Sequence, residues 1–191
     1  MKKKIAILAS GEGTNAENII RYFQKNEVVN IELVICNRKE AGVYGRVEKY
    51  GIPILYLSKT AFSESGRLLQ VLKEKDIDFI VLAGFLLFVP EDVLKVYDRK
   101  IINIHPSLLP RHGGKGMYGD RVHEAVIAAG EKESGITVHY VNEYYDEGEV
   151  ISQIRVSVTP EDTPHDVACK VHRLEYENYP KIIENLLCGN E

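Results

Sequence analysis

The chain has 191 residues, a formal net charge of -4 at pH 7 and 45% apolar residues, enough for a single domain to bury a core without disulfides or a structural metal. The acidic balance argues against a nucleic-acid partner held by its phosphate backbone, while leaving room for a local pocket that takes a small phosphorylated ligand. Met1-Lys2-Lys3-Lys4 runs directly into a strand-like Ile5–Leu8 with no signal-peptide core, and no apolar run is long enough to span a bilayer, which predicts a cytoplasmic protein with no membrane partner.

Short β-branched apolar runs at Ile5–Leu8, Ile31–Cys36, Ile54–Leu57, Phe79–Leu82 and Ile101–Ile104 alternate with stretches of helical spacing. That alternation predicts βαβ units around a parallel sheet. The capping residues place helices after Thr14 or Asn15 over Ala16–Ile20, after Glu64-Ser65 over Arg67–Lys75, and after Pro90 over Glu91–Leu94. Cys36 falls in an apolar strand, and Cys36, Cys169 and Cys188 lack metal or disulfide spacing, so three reduced thiols and no metal are expected. Beyond Pro110 a Gly-rich stretch, 112–119, excludes regular structure and leads into a short helix from Asp120 to Ala129. Gly135–Val141 and Val150–Val156 then alternate across a turn-rich connector, which predicts an antiparallel pair extending the sheet. Thr163-Pro164-His165-Asp166 opens a terminal helix that Tyr179-Pro180 is expected to divide. The whole, 1–191, reads as one α/β domain: a mostly parallel central sheet with antiparallel C-terminal strands and flanking helices.

Asn103-Ile104-His105-Pro106-Ser107-Leu108-Leu109-Pro110 sits at the end of the fifth run. Strand side chains alternate with period two, so the carboxamide of Asn103 and the imidazole of His105 share a face and can reach one reacting atom, while Pro106 turns the chain out of the sheet. The bland alternative is a satisfied, partly buried histidine beside a turn-capping asparagine. At the first strand's end, Ser10-Gly11-Glu12-Gly13-Thr14-Asn15-Ala16 is a Gly-rich turn feeding a helix N-terminus, open to three readings: a phosphate on Gly13, Thr14 and Asn15, a dinucleotide on G-x-G-x-x-A, or a tight turn with no ligand. The apolar exit Leu82–Pro90 is either core or a wall, Leu86, Leu87, Phe88 and Val89, for a flat ligand whose polar edge is read by backbone groups. The connector Asn142-Glu143-Tyr144-Tyr145-Asp146-Glu147-Gly148-Glu149 is either a solvated turn or the source of an aspartate that, beside His105, raises the imidazole pKa. Asn103, His105 and Asp146 would then suit attack on a carbonyl, with an oxyanion stabilised and a proton moved. Ser107 lacks the G-x-S-x-G frame of a hydrolase nucleophile.

Taken together, the Asn103–Pro110 octapeptide, Ser10-Gly11-x-Gly13-Thr14-Asn15, Leu82-Ala83-Gly84-Phe85, Gly135-Ile136-Thr137-Val138-His139 and Asp146-x-Gly148 resemble the folate-dependent phosphoribosylglycinamide formyltransferases, over nearly the whole chain and in the family's order. The octapeptide is shared across the wider formyl-transfer superfamily, so it fixes the chemistry better than the substrate. The resemblance implies a Rossmann-like formyltransferase fold and 10-formyltetrahydrofolate as formyl-donor co-substrate. It also implies attack by the amine of glycinamide ribonucleotide through a tetrahedral intermediate. It places the ribotide phosphate on Gly13, Thr14 and Asn15 and a ribotide contact on Glu175. The pteridine falls on Leu86, Leu87, Phe88 and Val89, completed by Asn103 and the Tyr144-Tyr145-Asp146 turn. In the same terms Asn103 and His105 bind the formyl oxygen, Asp146 tunes His105 and relays the proton, and Leu109-Pro110 is cis. Leu87, His172 and Glu149 depart from the Arg, Gln and Pro of familiar members, the first two in the folate and ribotide regions. The 113–119 segment resembles a subgroup version and reads either as a flap, with Lys115 reaching a phosphate or a folate tail, or as a plain surface loop.

Rival readings are another folate-dependent formyltransferase or a formyltetrahydrofolate hydrolase, whose tRNA-directed and deformylating members carry an additional domain that is not expected here, and a dinucleotide-binding sensor with no role for His105. The sequence is compatible with a monomer or a homodimer.

Overall fold

The computed structural model describes residues 2–63 and 66–189. Two compact units divide the chain, 1–102 with 180–191, and Asn103–Tyr179. In the first, β1 (Lys3–Ala9) pairs in parallel with β2 (Val29–Cys36) on one side and β4 (Phe79–Leu82) on the other, and β2 pairs in parallel with β3 (Ile54–Tyr56). The order is therefore β3-β2-β1-β4, followed by the start of β5 (Ile101–His105). Strands of a parallel sheet are covered on both faces, which is why Ile5, Ala6, Ile7, Leu8 and Ala9 are all buried and the sequence shows continuous apolar runs rather than alternation. In the second unit the rest of β5 is followed in the sheet by β6 (Glu133–Tyr140) and β7 (Val150–Ser157), which pair antiparallel from Glu133 opposite Ser157 to His139 opposite Val150. The sheet is thus mostly parallel with antiparallel C-terminal strands, as expected. Cys36 is buried, and all three cysteines are free thiols.

Helices follow the capping logic with identifiable exceptions. α1 (Thr14–Phe23) starts two residues before the expected Ala16, and its N-cap is neither Thr14 nor Asn15 but Gly13, with no side-chain cap bond. Two short helices escape the pattern, α2 (Val43–Glu48) and α3 (Lys59–Ser63): each is under two turns and buries only Val43 and Val47, or Phe62, too little for periodicity to register. The expected Glu64-Ser65 cap of α4 (Arg67–Glu74) lies outside the described residues. Pro90 precedes α5 (Glu91–Val96) as its N-cap, and α6 spans Asp120–Ala128.

The terminal helix corrects one expectation. α7 runs unbroken from Pro164 to Cys188 and contains Pro180. A mid-helix proline removes one backbone bond and crowds the preceding turn, but Tyr179 and Ile183 on either side are fully buried, and that packing outweighs the local cost. The start is well specified: Pro164 occupies the first helical position, Thr163 N donates to Asp166 Oδ2 at 2.9 Å and Asp166 N donates to Thr163 Oγ1 at 3.3 Å, a reciprocal cap. No helix among the described residues is long and apolar enough to cross a membrane.

One surface cluster in the first unit has a pH signature. Glu17 meets Lys49 Nζ at 2.5 Å, Arg46 Nη1 at 2.9 Å and Tyr50 Oη at 3.2 Å. Bonds to Lys49 and Arg46 outweigh its desolvation and hold its pKa at about 2. A depressed carboxylate stabilises the fold above its ordinary value of 4.5, and the stabilisation is lost as pH falls through the folded value. Glu17→Gln is therefore expected to cost about 1 kcal/mol at pH 7, a figure kept small because both cations are partly solvated, or roughly 3 °C in melting temperature. The difference from the parent should nearly vanish by pH 2; equal losses in calorimetric scans at both pH values would refute the assignment.

Candidate active site

In the first unit, β1 delivers the chain into a turn whose shape depends on Gly13. Its φ is 75°, and a Cβ there would lie 2.7 Å from Val43 Cα, so any side chain is excluded twice over. The turn leaves the first N–H groups of α1 facing out of the helix end, where an anion is favoured electrostatically. Ser10 ties this turn to the exit of β4: its N–H donates to Gly84 O at 3.1 Å and its hydroxyl accepts from Leu86 N at 3.0 Å. The two segments singled out in this unit, Gly13–Asn15 and Leu86–Val89, therefore flank a shared hydrogen-bonded seam. Within the second, Val89 is core, Leu86 and Leu87 are half-buried, and Phe88 is 46% exposed. The Leu86 N–H is committed to the Ser10 hydroxyl.

In the second unit, β5 presents Asn103 and His105, and the β6–β7 connector returns Asp146. His105 is 3% exposed; its Nδ1 lies 3.4 Å from Asp146 Oδ2 and its Nε2 lies 2.8 Å from His112 O. A carbonyl only accepts, so Nε2 carries the hydrogen and Nδ1 is the nitrogen left to exchange a proton, facing the carboxylate. Asn103 Nδ2 lies 3.2 Å from His139 Nε2, and His139 Nε2 stands 3.7 Å from Asp146 Oδ1, an electrostatic approach rather than a hydrogen bond. Four polar side chains thus converge within one unit, three of them anticipated.

Burial is the dominant influence on His105 and pushes its pKa below the ordinary 6.5; Asp146 and the His112 carbonyl oppose it without prevailing. This corrects the expectation of a raised value: Asp146 acts upward, but desolvation of a buried ring is larger. Asp146 is also pushed up by burial, yet its interactions with His139 and His105 and a 2.9 Å bond from Gly114 N leave it below the ordinary carboxylate value. The resting pair at pH 7 is a neutral imidazole beside a carboxylate. Asp146 reaches this position with φ 57°, a left-handed conformation that aspartate tolerates better than most residues.

The path between Asn103 and Pro110 is held by side chains rather than by sheet. Thr137 Oγ1 donates to Ser107 O at 2.7 Å and accepts from Leu109 N at 3.0 Å, and Gln153 Nε2 donates to both Thr137 Oγ1 at 3.0 Å and Leu109 O at 2.8 Å. The Ser107 hydroxyl, buried, donates to Arg111 O at 2.7 Å, which makes it a turn-former and not a nucleophile. Leu109-Pro110 is cis. The Gly-rich segment is tied down at its start: Arg111 and His112 pair with Glu131 at 2.6 and 3.1 Å, and Gly114 holds Asp146, while Lys115 is solvent-exposed.

A cleft of about 480 Å³ opens against this cluster, lined by Leu109, Pro110, Gly113, Gly114, Tyr145 and Asp146 among others. Tyr145 belongs to the lining and Tyr144, 58% exposed, is turned to solvent. Glu175 is buried on α7 near Tyr179, and on the same helix the ring of His172 stacks on Tyr176 and stands edge-on to His123, 6.1 Å between centroids. Burial, then the charge of His172, press the pKa of His123 to about 4. Sequence reasoning assigned no role to His139, the His112 carbonyl or His123. For His139 a signal existed, since Thr137 and His139 are polar residues two apart in an apolar strand and so share a face.

The formyl transferase family profile matches residues 3–183. Phosphoribosylglycinamide formyltransferase of Bacillus subtilis is 36% identical over 192 residues, covering 97% of this chain and 95% of that one. The chloroplastic phosphoribosylglycinamide formyltransferase of Vigna unguiculata is 36% identical over 190 residues, 97% of this chain but 61% of that one, so the chain spans about three fifths of the plant relative's length. The crystal structure of phosphoribosylglycinamide formyltransferase from Bacillus halodurans is similar with a TM-score of 0.89 and 38% identity, covering 99% of this chain and 97% of that one.

Proposed function

The chain belongs to the formyl transferase family, and we propose that it transfers the formyl group of 10-formyltetrahydrofolate to the amine of glycinamide ribonucleotide, a step of purine biosynthesis. The observation that carries this reading is the convergence of Asn103, His105 and Asp146 beside a cleft in the second unit. Such a set matches a reaction in which an amine lone pair attacks the formyl carbon, the carbonyl oxygen becomes an oxyanion, the bond from carbon to the donor nitrogen breaks, and one proton passes from the amine to the departing nitrogen. Asn103 supplies a neutral N–H to the oxyanion. His105, its Nε2–H committed to His112 O, takes up and returns the proton through Nδ1, and Asp146 stabilises the imidazolium while that proton is held. In the second unit, Tyr145 and Asp146 on the cleft and the more exposed Tyr144 are assigned to the folate. In the first unit, taken by itself, Leu86, Leu87, Phe88 and Val89 are assigned a folate contact through backbone groups. In the first unit Gly13, Thr14 and Asn15 are assigned the ribotide phosphate at the N-terminus of α1. In the second, Glu175 is assigned a ribotide contact. Residues 1–191 act as a single formyltransferase domain, as a monomer or homodimer in the cytoplasm, without nucleic acid or membrane.

The test is a formyl-transfer assay with glycinamide ribonucleotide and 10-formyltetrahydrofolate, run on the parent and on His105→Ala. The parent should turn over and the variant should lose about 10³-fold or more in kcat. A parent that releases formate from the folate without formylating the amine would point instead to the hydrolase reading.

A further inference from the structure

His139 is held by two contacts that together fix its chemistry. Its Nδ1 lies 2.8 Å from Tyr140 O, and because a carbonyl only accepts, that nitrogen carries a hydrogen in every protonation state of the ring. Nε2 of the neutral ring is therefore a lone pair, buried, with Asn103 Nδ2 3.2 Å away. The Asn103 amide has one orientation compatible with this: the NH2 toward His139 and Oδ1 away, since the opposite orientation would set two lone pairs against each other across a buried contact. One amide hydrogen is spent on the ring, and the planarity of the group then fixes the direction of the second. Protonating His139 reverses the requirement. Nε2 becomes a donor, the Asn103 NH2 loses its acceptor, and the amide must turn Oδ1 toward the ring, carrying its donors away. The ionisable groups facing His139 are Asp146 from the β6–β7 connector, at 3.7 Å, and His105 from β5, so the charge on His139 is coupled to both.

We infer that His139 is a positioning residue that acts through Asn103, and that its neutral form, with hydrogen on Nδ1, is the working form. The inference rests on the role given to Asn103 above and adds to it the group that sets which edge of the carboxamide is offered to the formyl oxygen. Glutamine can place an acceptor near the position of the histidine Nε2 without ionising, whereas leucine fills similar space with no acceptor.

The experiment has a structural and a kinetic arm, both on the full chain. In the first, NMR at pH 8 without substrates reads the nitrogens of the His139 ring together with the side-chain amide of Asn103. The neutral ring should carry its hydrogen on Nδ1, with a coupling across the hydrogen bond from an Asn103 amide hydrogen to Nε2 that disappears in His139→Gln; a hydrogen on Nε2, or no such coupling in the parent, would overturn the inference whether or not the protein proves to be a formyltransferase. In the second, His139→Leu should lower kcat at pH 8 by about 10²-fold, the scale of a misdirected oxyanion donor, with each KM changed less than about threefold, while His139→Gln recovers to within about tenfold of the parent. In an Asn103→Ala background, His139→Leu should cost less than about threefold further, because its effect passes through a group already removed. Full additivity of the two losses would mean that His139 supports the fold generally and does not act through Asn103. Should His139→Leu fail to fold, the NMR comparison of parent and His139→Gln still decides. A parent with no formyl transfer and an intact Asn103–His139 coupling would refute the function while leaving this inference standing.

Discussion

Asp146→Asn is expected to lower kcat for formyl transfer by about 10³-fold while changing each KM less than about threefold. The substitution keeps the shape and the oxygen that accepts from Gly114 N, so the connector should hold its path. What disappears is the negative charge 3.4 Å from His105 Nδ1. In the resting protein burial already presses the His105 pKa below 6.5, and Asp146 is the largest influence acting in the other direction. Without it the imidazolium that forms during proton transfer sits in a buried site with no counter-ion, which raises the barrier rather than weakening binding. The sign for stability follows from the same values. A histidine whose folded pKa lies below its unfolded one leaves the folded state at a disadvantage as pH falls through about 6.5 toward the folded value, and an aspartate with a depressed folded pKa loses its contribution lower still. Both act against the fold in acid. In the variant the His105 value should fall further, read by NMR titration, and kcat should drop across the whole pH range. A His105 titration unchanged by the substitution would remove Asp146 from the proton-holding role, and turnover near the parent's would remove it from catalysis.

Gly148→Ala should damage both fold and activity, lowering stability by about 3 kcal/mol, which is of order 10 °C in melting temperature. A Cβ at this position would be driven into Tyr140 O, far inside contact distance, and would stand 3.3 Å from His139 Nδ1. The nearest obstacle is the Tyr140 carbonyl group, backbone that no side-chain rotation moves aside. Tyr140 N also donates to Glu149 O at 2.9 Å, and that bond would have to stretch as the connector moves outward. The same carbonyl that the new methyl displaces is the acceptor for His139 Nδ1, and Asp146 is two residues upstream. A stable, active Gly148→Ala protein would show that the connector has slack. The expected pattern is instead a loss of melting temperature accompanied by a fall in kcat larger than the fraction unfolded at the assay temperature can explain.

The sheet was largely legible from sequence because its signal is burial itself. A strand covered on both faces must be apolar throughout, so Phe79–Leu82 could be bounded to the residue, and the alternation of Gly135–Val141 announced the antiparallel pair. What escaped was decided by contacts that leave no local pattern. Pro180 carries a strong helix-breaking signal, yet the burial of Tyr179 and Ile183 outweighs it. Gly13 caps α1 where Thr14 and Asn15 offered better capping side chains, because the close approach of Val43, thirty residues away, leaves no room for a Cβ. In the site, Asn103, His105 and Asp146 were readable as a chemical set, but the direction of the His105 shift depends on how dry its surroundings are, which spacing does not encode. The two histidine tautomers rest on carbonyls of residues 112 and 140, and a backbone oxygen has no sequence signature at all.

Thr137 and His139 stand on one face of β6, the first stapling the chain between Ser107 and Leu109 and the second meeting Asn103. Strand faces alternate, so a slip of one residue in the pairing of β6 would withdraw both side chains together. The staple and the partner of Asn103 are thus set together by the alternation of one strand, which carries both side chains on one face although its pairing with β7 shifts between Val138 and His139. A nearly folded chain with β6 misaligned would keep its β-sheet signal in circular dichroism and yet be inert, so recovery of activity during refolding should report the arrival of that register rather than the growth of secondary structure.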